Sequence, residues 1–101
     1  MDRADFRYLT REFAVTAAKK LGIETDFRGE HELRAEIKQR DPVTSQRLET
    51  FINSYWEWDD FHRRVEAQEK AGKLTSDERA QLDALILKRD QSREDLKKRF
   101  P

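Results

Sequence analysis

The chain contains no cysteine. That excludes a disulfide framework and any thiolate metal site. Three glycines and two prolines are spread over 101 residues, too few and too scattered to build a glycine-rich phosphate loop. No apolar run approaches the roughly 18 residues of a membrane span, and the first residues lack the apolar core of a signal peptide. An excess of one charge is missing as well, because 21 Lys and Arg balance 21 Asp and Glu. A dedicated nucleic-acid binder carries a basic excess. These absences lead to the expectation of a cytoplasmic protein that makes no use of a membrane.

What the chain has instead is charge of both signs, at 42% of residues against 36% hydrophobic. High charge favours disorder when it is one-sided, but here it cancels and the apolar residues recur at helical spacing. The expected fold is a single all-α domain with a thin core, to whose stability a bound partner could add materially.

The stretch 48–65, LETFINSYWEWDDFHRRV, carries both tryptophans and three further aromatic residues. Placed on a helix, Leu48, Phe51, Tyr55, Trp58, His62 and Val65 form one stripe, with Ile52 and Trp56 on one flank and Phe61 on the other. The apolar arc is about 220° wide, where a surface helix needs only ~100°. One partner helix cannot cover it. Asp59 with Arg63, and Asp60 with Arg64, stand four apart with the acid first, which supports a helix.

Elsewhere the periodicity predicts three more helices. Over residues 5–21 the stripe is Phe6, Leu9, Phe13, Ala17 and Leu21, followed by Gly22 as a stop and Ile23 folding back as in a Schellman end. Residues 24–29 read as a loop. Glu30–Arg40 has only Leu33 and Ile37 as anchors and is expected to lie at the periphery, ended by Asp41 and Pro42. The third helix, over 43–71, is stopped by Gly72. In the fourth, Thr75 and Glu78 match a capping box, and Leu82, Leu85, Ile86, Leu96 and Phe100 face inward. The expected architecture is three long helices and one short one, with helices three and four as an antiparallel hairpin that helix one packs across.

Candidate chemistry is sparse. Asp59, His62 and Glu66 lie on neighbouring turns, but a di-iron carboxylate bundle needs Glu-x-x-His from two helices. His62 is therefore expected to hydrogen-bond Asp59, and no metal or cofactor is expected. Ser45, Ser54, Ser76 and Ser92 read as cap or surface residues, so no catalytic nucleophile is assigned, and so thin a domain is not expected to enclose a small-molecule substrate. The basic end formed by Lys97, Lys98 and Arg99 is spaced for pairs within the helix, Glu94 with Lys98 and Asp95 with Arg99. Residues 18–23, AKKLGI, are similar to the first half of a helix-turn-helix. The second half departs from that pattern, with charged or polar Arg28 and His31 at apolar positions and Gly29 inside the helix.

The function these features favour is non-enzymatic binding of another protein, including a second copy of the chain. Trp and Tyr are the usual anchors of such interfaces. The expected contact residues are Ile52, Tyr55, Trp56 and Phe61, with the Ile52–Trp56 edge left exposed. The alternative is a DNA-binding regulator using the segment around Gly22. For the fourth helix the capping box makes a direct prediction: Thr75→Ala should cost about 0.5–2 kcal/mol. An unchanged denaturant midpoint would place the helix start elsewhere.

Overall fold

The computed structural model describes residues 3–100, with side chains from Leu9 onward. Within them the chain is all helical: α1 Arg3–Lys20, α2 Glu30–Arg40, α3 Pro42–Lys70 and α4 Ser76–Lys97. The side chain of Phe6, the first member of the α1 stripe, lies outside the described residues. The molecule is elongated, 49 × 24 × 19 Å.

Both glycine stops work as the sequence indicates. At the end of α1, Ile23 N–H reaches the Ala18 carbonyl at 2.9 Å and Gly22 N–H the Lys19 carbonyl at 3.1 Å, with Gly22 at φ +74°. The end of α3 repeats this geometry: Lys73 N–H bonds the Gln68 carbonyl at 2.8 Å and Gly72 sits at φ +69°. Each is a Schellman end, which needs the left-handed conformation that glycine adopts without penalty. The capping box also forms, Glu78 N–H donating to Thr75 Oγ1 and Thr75 N–H to Glu78 Oε1, both at 3.1 Å.

α3 and α4 run antiparallel, as three side-chain contacts in reverse order show. Thr44 meets Arg99 at 3.1 Å, Ser54 meets Ser92 at 2.7 Å and Glu57 meets Lys88 at 3.0 Å. Two hydrophobic clusters divide the length of the hairpin. The larger gathers Ala14, Ala17 and Ala18 of α1, Leu33 and Ile37 of α2, Leu48, Phe51, Ile52 and Tyr55 of α3, and Leu96 of α4. The smaller holds Phe61, Val65 and Leu82, with Leu74, Leu85 and Ile86 packed against it. Trp58 touches both.

Three expectations are corrected. α2 is not peripheral: Leu33 and Ile37 are fully buried, and the helix packs against both α1 and α3. Two anchors suffice because alanines 14, 17 and 18 of α1 let the backbones approach closely. Among the described residues α1 packs on α2 and α3 but not across α4. Ser45, Ser54 and Ser92 are buried rather than on the surface. Ser54 and Ser92 form a polar seam between α3 and α4: their oxygens lie 2.7 Å apart, and each also reaches a carbonyl three residues back, Phe51 at 2.7 Å and Arg89 at 2.8 Å. Two hydroxyl protons serve these three contacts, so one hydroxyl donates to a carbonyl while the other donates to its own carbonyl or across the seam.

Asp41 joins the two ends of the hairpin. Besides closing α2 it caps α3, accepting from Thr44 N–H at 3.2 Å and from Thr44 Oγ1 at 2.6 Å. Arg99 Nη2 then crosses from the end of α4 to Asp41 Oδ2 at 2.7 Å. Arg99 therefore does not pair with Asp95, whose carboxylate takes Lys98 at 3.4 Å instead. The Thr44 hydroxyl, the Arg99 guanidinium and the Thr44 amide together hold the Asp41 carboxyl down to about 2. That lies below the ordinary value of about 3.9. The cluster thus stabilises the fold fully above roughly pH 4 and loses that contribution as pH falls through about 2. Asp41→Asn should be less stable than the wild type near neutral pH, and the gap should narrow steadily below roughly pH 4 in denaturant titrations. A gap that stays constant down to about pH 2 would contradict this role.

Candidate interaction surface

The four α3 residues expected at an interface fall on different sides of the core boundary. Ile52, Tyr55 and Phe61 are buried within the chain. Trp56 is half-buried and packs against the larger cluster. The expected exposed Ile52–Trp56 edge is therefore overturned at Ile52, which is 3% exposed. The physical reason is the insertion of α2: with α1 and α4 it gives the wide arc of α3 three partners.

The centre of the hairpin holds a stack of rings and a cation. Trp58 and His62 lie nearly parallel with centroids 5.2 Å apart. The Arg89 guanidinium sits 4.5 Å from the Trp58 ring and 5.5 Å from the Tyr55 ring. Such cation–π contacts are worth about 0.5–2 kcal/mol, more as they are desolvated. They offset an orphan, because Trp58 Nε1 is buried with no hydrogen-bond partner. The position of Arg89 is explained by these two faces. His62 does not bond Asp59. Its Nε2 faces Glu69 at 3.7 Å, while Asp59 pairs with Arg63 at 3.1 Å. Among the described residues no three His, Asp or Glu side chains converge as metal ligands would.

The helix-turn-helix geometry is also absent at 18–40. α2 begins at Glu30, eight residues beyond Gly22 rather than about four. Glu30 and Glu32 stand in its first turn, where they would meet phosphates with like charge. Between α2 and α3, Arg34 grips the Glu49 carboxylate through two nitrogens, its Nε at 2.8 Å, and this hydrogen bond raises the Arg34 pKa. Both helices thus spend their facing charges on each other.

The residue that sequence reading passed over is Phe27. It is 107% exposed, more than any other large apolar residue described, with Leu87 at 58% and Val43 at 47%. Its φ is +61°, the left-handed region, and it is the only described non-glycine residue there. Such a conformation is a genuine outlier for a bulky side chain. The loop around it is fixed. The Glu24 carboxylate accepts from the Thr25 and Asp26 amides at 3.1 and 3.0 Å. Arg28 reaches back to the Glu24 carbonyl at 3.3 Å and across to Glu36 at 2.9 Å. A turn that places an aromatic ring in solvent on strained backbone gains nothing from it in the isolated chain. The signal available in the sequence was an aromatic residue in a loop of otherwise turn-forming character, Glu24 to Gly29.

Comparison with protein-family models, curated proteins and solved structures returns no match to this chain.

Phe27 should therefore be dispensable for folding. Phe27→Asn, which tolerates the left-handed conformation, should leave stability unchanged or raise it by roughly 1 kcal/mol as strain is relieved. A loss of about 3 kcal/mol or more, the scale of a core truncation, would show that the ring packs within the chain.

Proposed function

We propose that this chain is a non-enzymatic, cytoplasmic protein-binding module, a regulator, adaptor or inhibitor, whose principal contact residue is Phe27. The observation that carries this reading is a fully exposed aromatic ring on a hydrogen-bonded loop at φ +61°. Strain kept at a position that packs nothing is characteristic of sites where a ligand is met. An aromatic side chain has only two torsions to immobilise when it is buried at an interface. Of the α3 set, Ile52, Tyr55 and Phe61 serve the platform beneath, and Trp56 alone retains surface to offer.

The DNA-binding alternative has less support. The eight-residue gap after Gly22 and the carboxylates in the first turn of α2 both work against it.

Photo-crosslinking in the native host tests the proposal. Phe27 is replaced by benzoylphenylalanine, with Leu87 replaced in a control because it too is exposed. The expected result is a discrete, protease-sensitive adduct from position 27 that the control lacks. No adduct, or one removed by nuclease, would overturn the reading.

A further inference from the structure

α2 and α3 fold back on each other about Asp41, and between them lies an open groove of about 520 Å³ to which both helices contribute. Its two walls can be followed turn by turn. The outer turn is closed by the ion pair of Arg34 with Glu49. One helical turn nearer Asp41 the same two faces carry Lys38, four residues after Arg34, and Ser45, four residues before Glu49. Gln46 stands beside them, and Ala35 and Pro42 add small apolar surfaces.

At this inner turn the charges do not cancel. Lys38 pairs with no acid among the described residues, whereas Arg34 and Arg40 of the same helix take Glu49 and Glu36. Glu49 is the one acid lining the groove, and Arg34 holds it through two nitrogens. The neighbouring Asp41 carboxylate lies outside the groove and is taken by Thr44 and Arg99. Ser45 adds a donor. It is 6% exposed, yet its hydroxyl makes no hydrogen bond among the described residues. A serine inside a helix ordinarily returns its hydroxyl to a carbonyl three or four residues back, as Ser54 and Ser92 do here. Nor is the Ser45 hydroxyl sealed, because among the described residues the enclosed side-chain atom without a partner is Trp58 Nε1. The small open part of Ser45 is therefore its hydroxyl, and it opens into the groove.

We propose that the groove between α2 and α3 binds a small organic phosphate monoester. The Lys38 ammonium, the Ser45 hydroxyl and the Gln46 side-chain amide are three donors, one of them a full positive charge. A phosphate monoester presents three terminal oxygens that accept hydrogen bonds, and a carboxylate only two. Lysine is also a regular point-charge partner of phosphate. The negative charge supplies what Glu49 supplies to Arg34 one turn away. The groove is larger than a bare ion needs and falls in the range of small-ligand sites, so the organic part rests on Ala35 and Pro42. This site makes no use of Phe27 and stands apart from the protein-binding reading above.

The test is an NMR titration of the purified, isotope-labelled full chain at fixed pH and ionic strength, since salt screens such a contact. The probes are phenyl phosphate, inorganic phosphate and benzoate. Phenyl phosphate is expected to give saturable shifts at the amides of Lys38, Ser45 and Gln46, with a Kd of about 1 mM or lower. The other two probes should bind about fivefold more weakly or worse. Lys38→Met should weaken phenyl phosphate about tenfold and Ser45→Ala about threefold, as lost charge-assisted hydrogen bonds do. Lys38 is exposed, so its replacement should leave the helical circular dichroism unchanged. Shifts that fail to saturate, that fall elsewhere on the chain, or that survive Lys38→Met would overturn the site. Equal binding of benzoate would overturn the phosphate assignment, and equal binding of inorganic phosphate the organic one.

Discussion

Everything in this structure depends on the width of the apolar arc on α3. Among the described elements, every helix–helix contact except that of α1 with α2 is made on α3. A helix with an ordinary apolar stripe could support one neighbour. This one supports three because its apolar residues run from Phe61 around to Ile52. Phe51 lies at the centre, fully buried, with Phe13 of α1 at 4.6 Å and Tyr55 at 4.7 Å between ring centroids. Burying one such ring contributes about 1.5–3 kcal/mol, and a core this thin rests on few of them.

The consequence for function is a division of labour among the aromatic residues. Those on α3 serve the fold, directly or by stacking against Arg89, with Trp56 only half-buried. The residue proposed to meet a partner, Phe27, lies on the loop between α1 and α2 instead. Charge serves the fold as well. Ion pairs and caps use most acids and bases on α2, α3 and α4, including the Asp41–Arg99 link between the ends of the hairpin.

Much of the fold was legible in the sequence because local physics decides it. Gly22, Gly72 and the Thr75–Glu78 pair each act within one helical turn, and all three mark a helix end as read. The hairpin followed from the short link between two long periodic segments. The failures involve partners distant in sequence. Nothing near Leu33 and Ile37 reveals that three alanines of α1 open a slot for α2. Nothing near Ser92 reveals Ser54, or near Arg99 reveals Asp41. The contact residues were misplaced for a related reason. An aromatic surplus on one helix cannot be judged until the number of helices covering it is known. Phe27 drew no notice because its distinction is a backbone angle and the absence of contacts, neither of which has a periodicity.

The central claim is that association runs through Phe27 and not through the aromatic face of α3. NMR on ring-labelled protein tests it most directly. Spectra are compared over a titration with the protein captured by the crosslink at position 27, following the Phe27 ring and the indole N–H groups of Trp56 and Trp58. The account predicts that the Phe27 ring resonances shift as that protein is added while both indole resonances stay fixed. A Trp56 indole that shifts while Phe27 remains constant would contradict it.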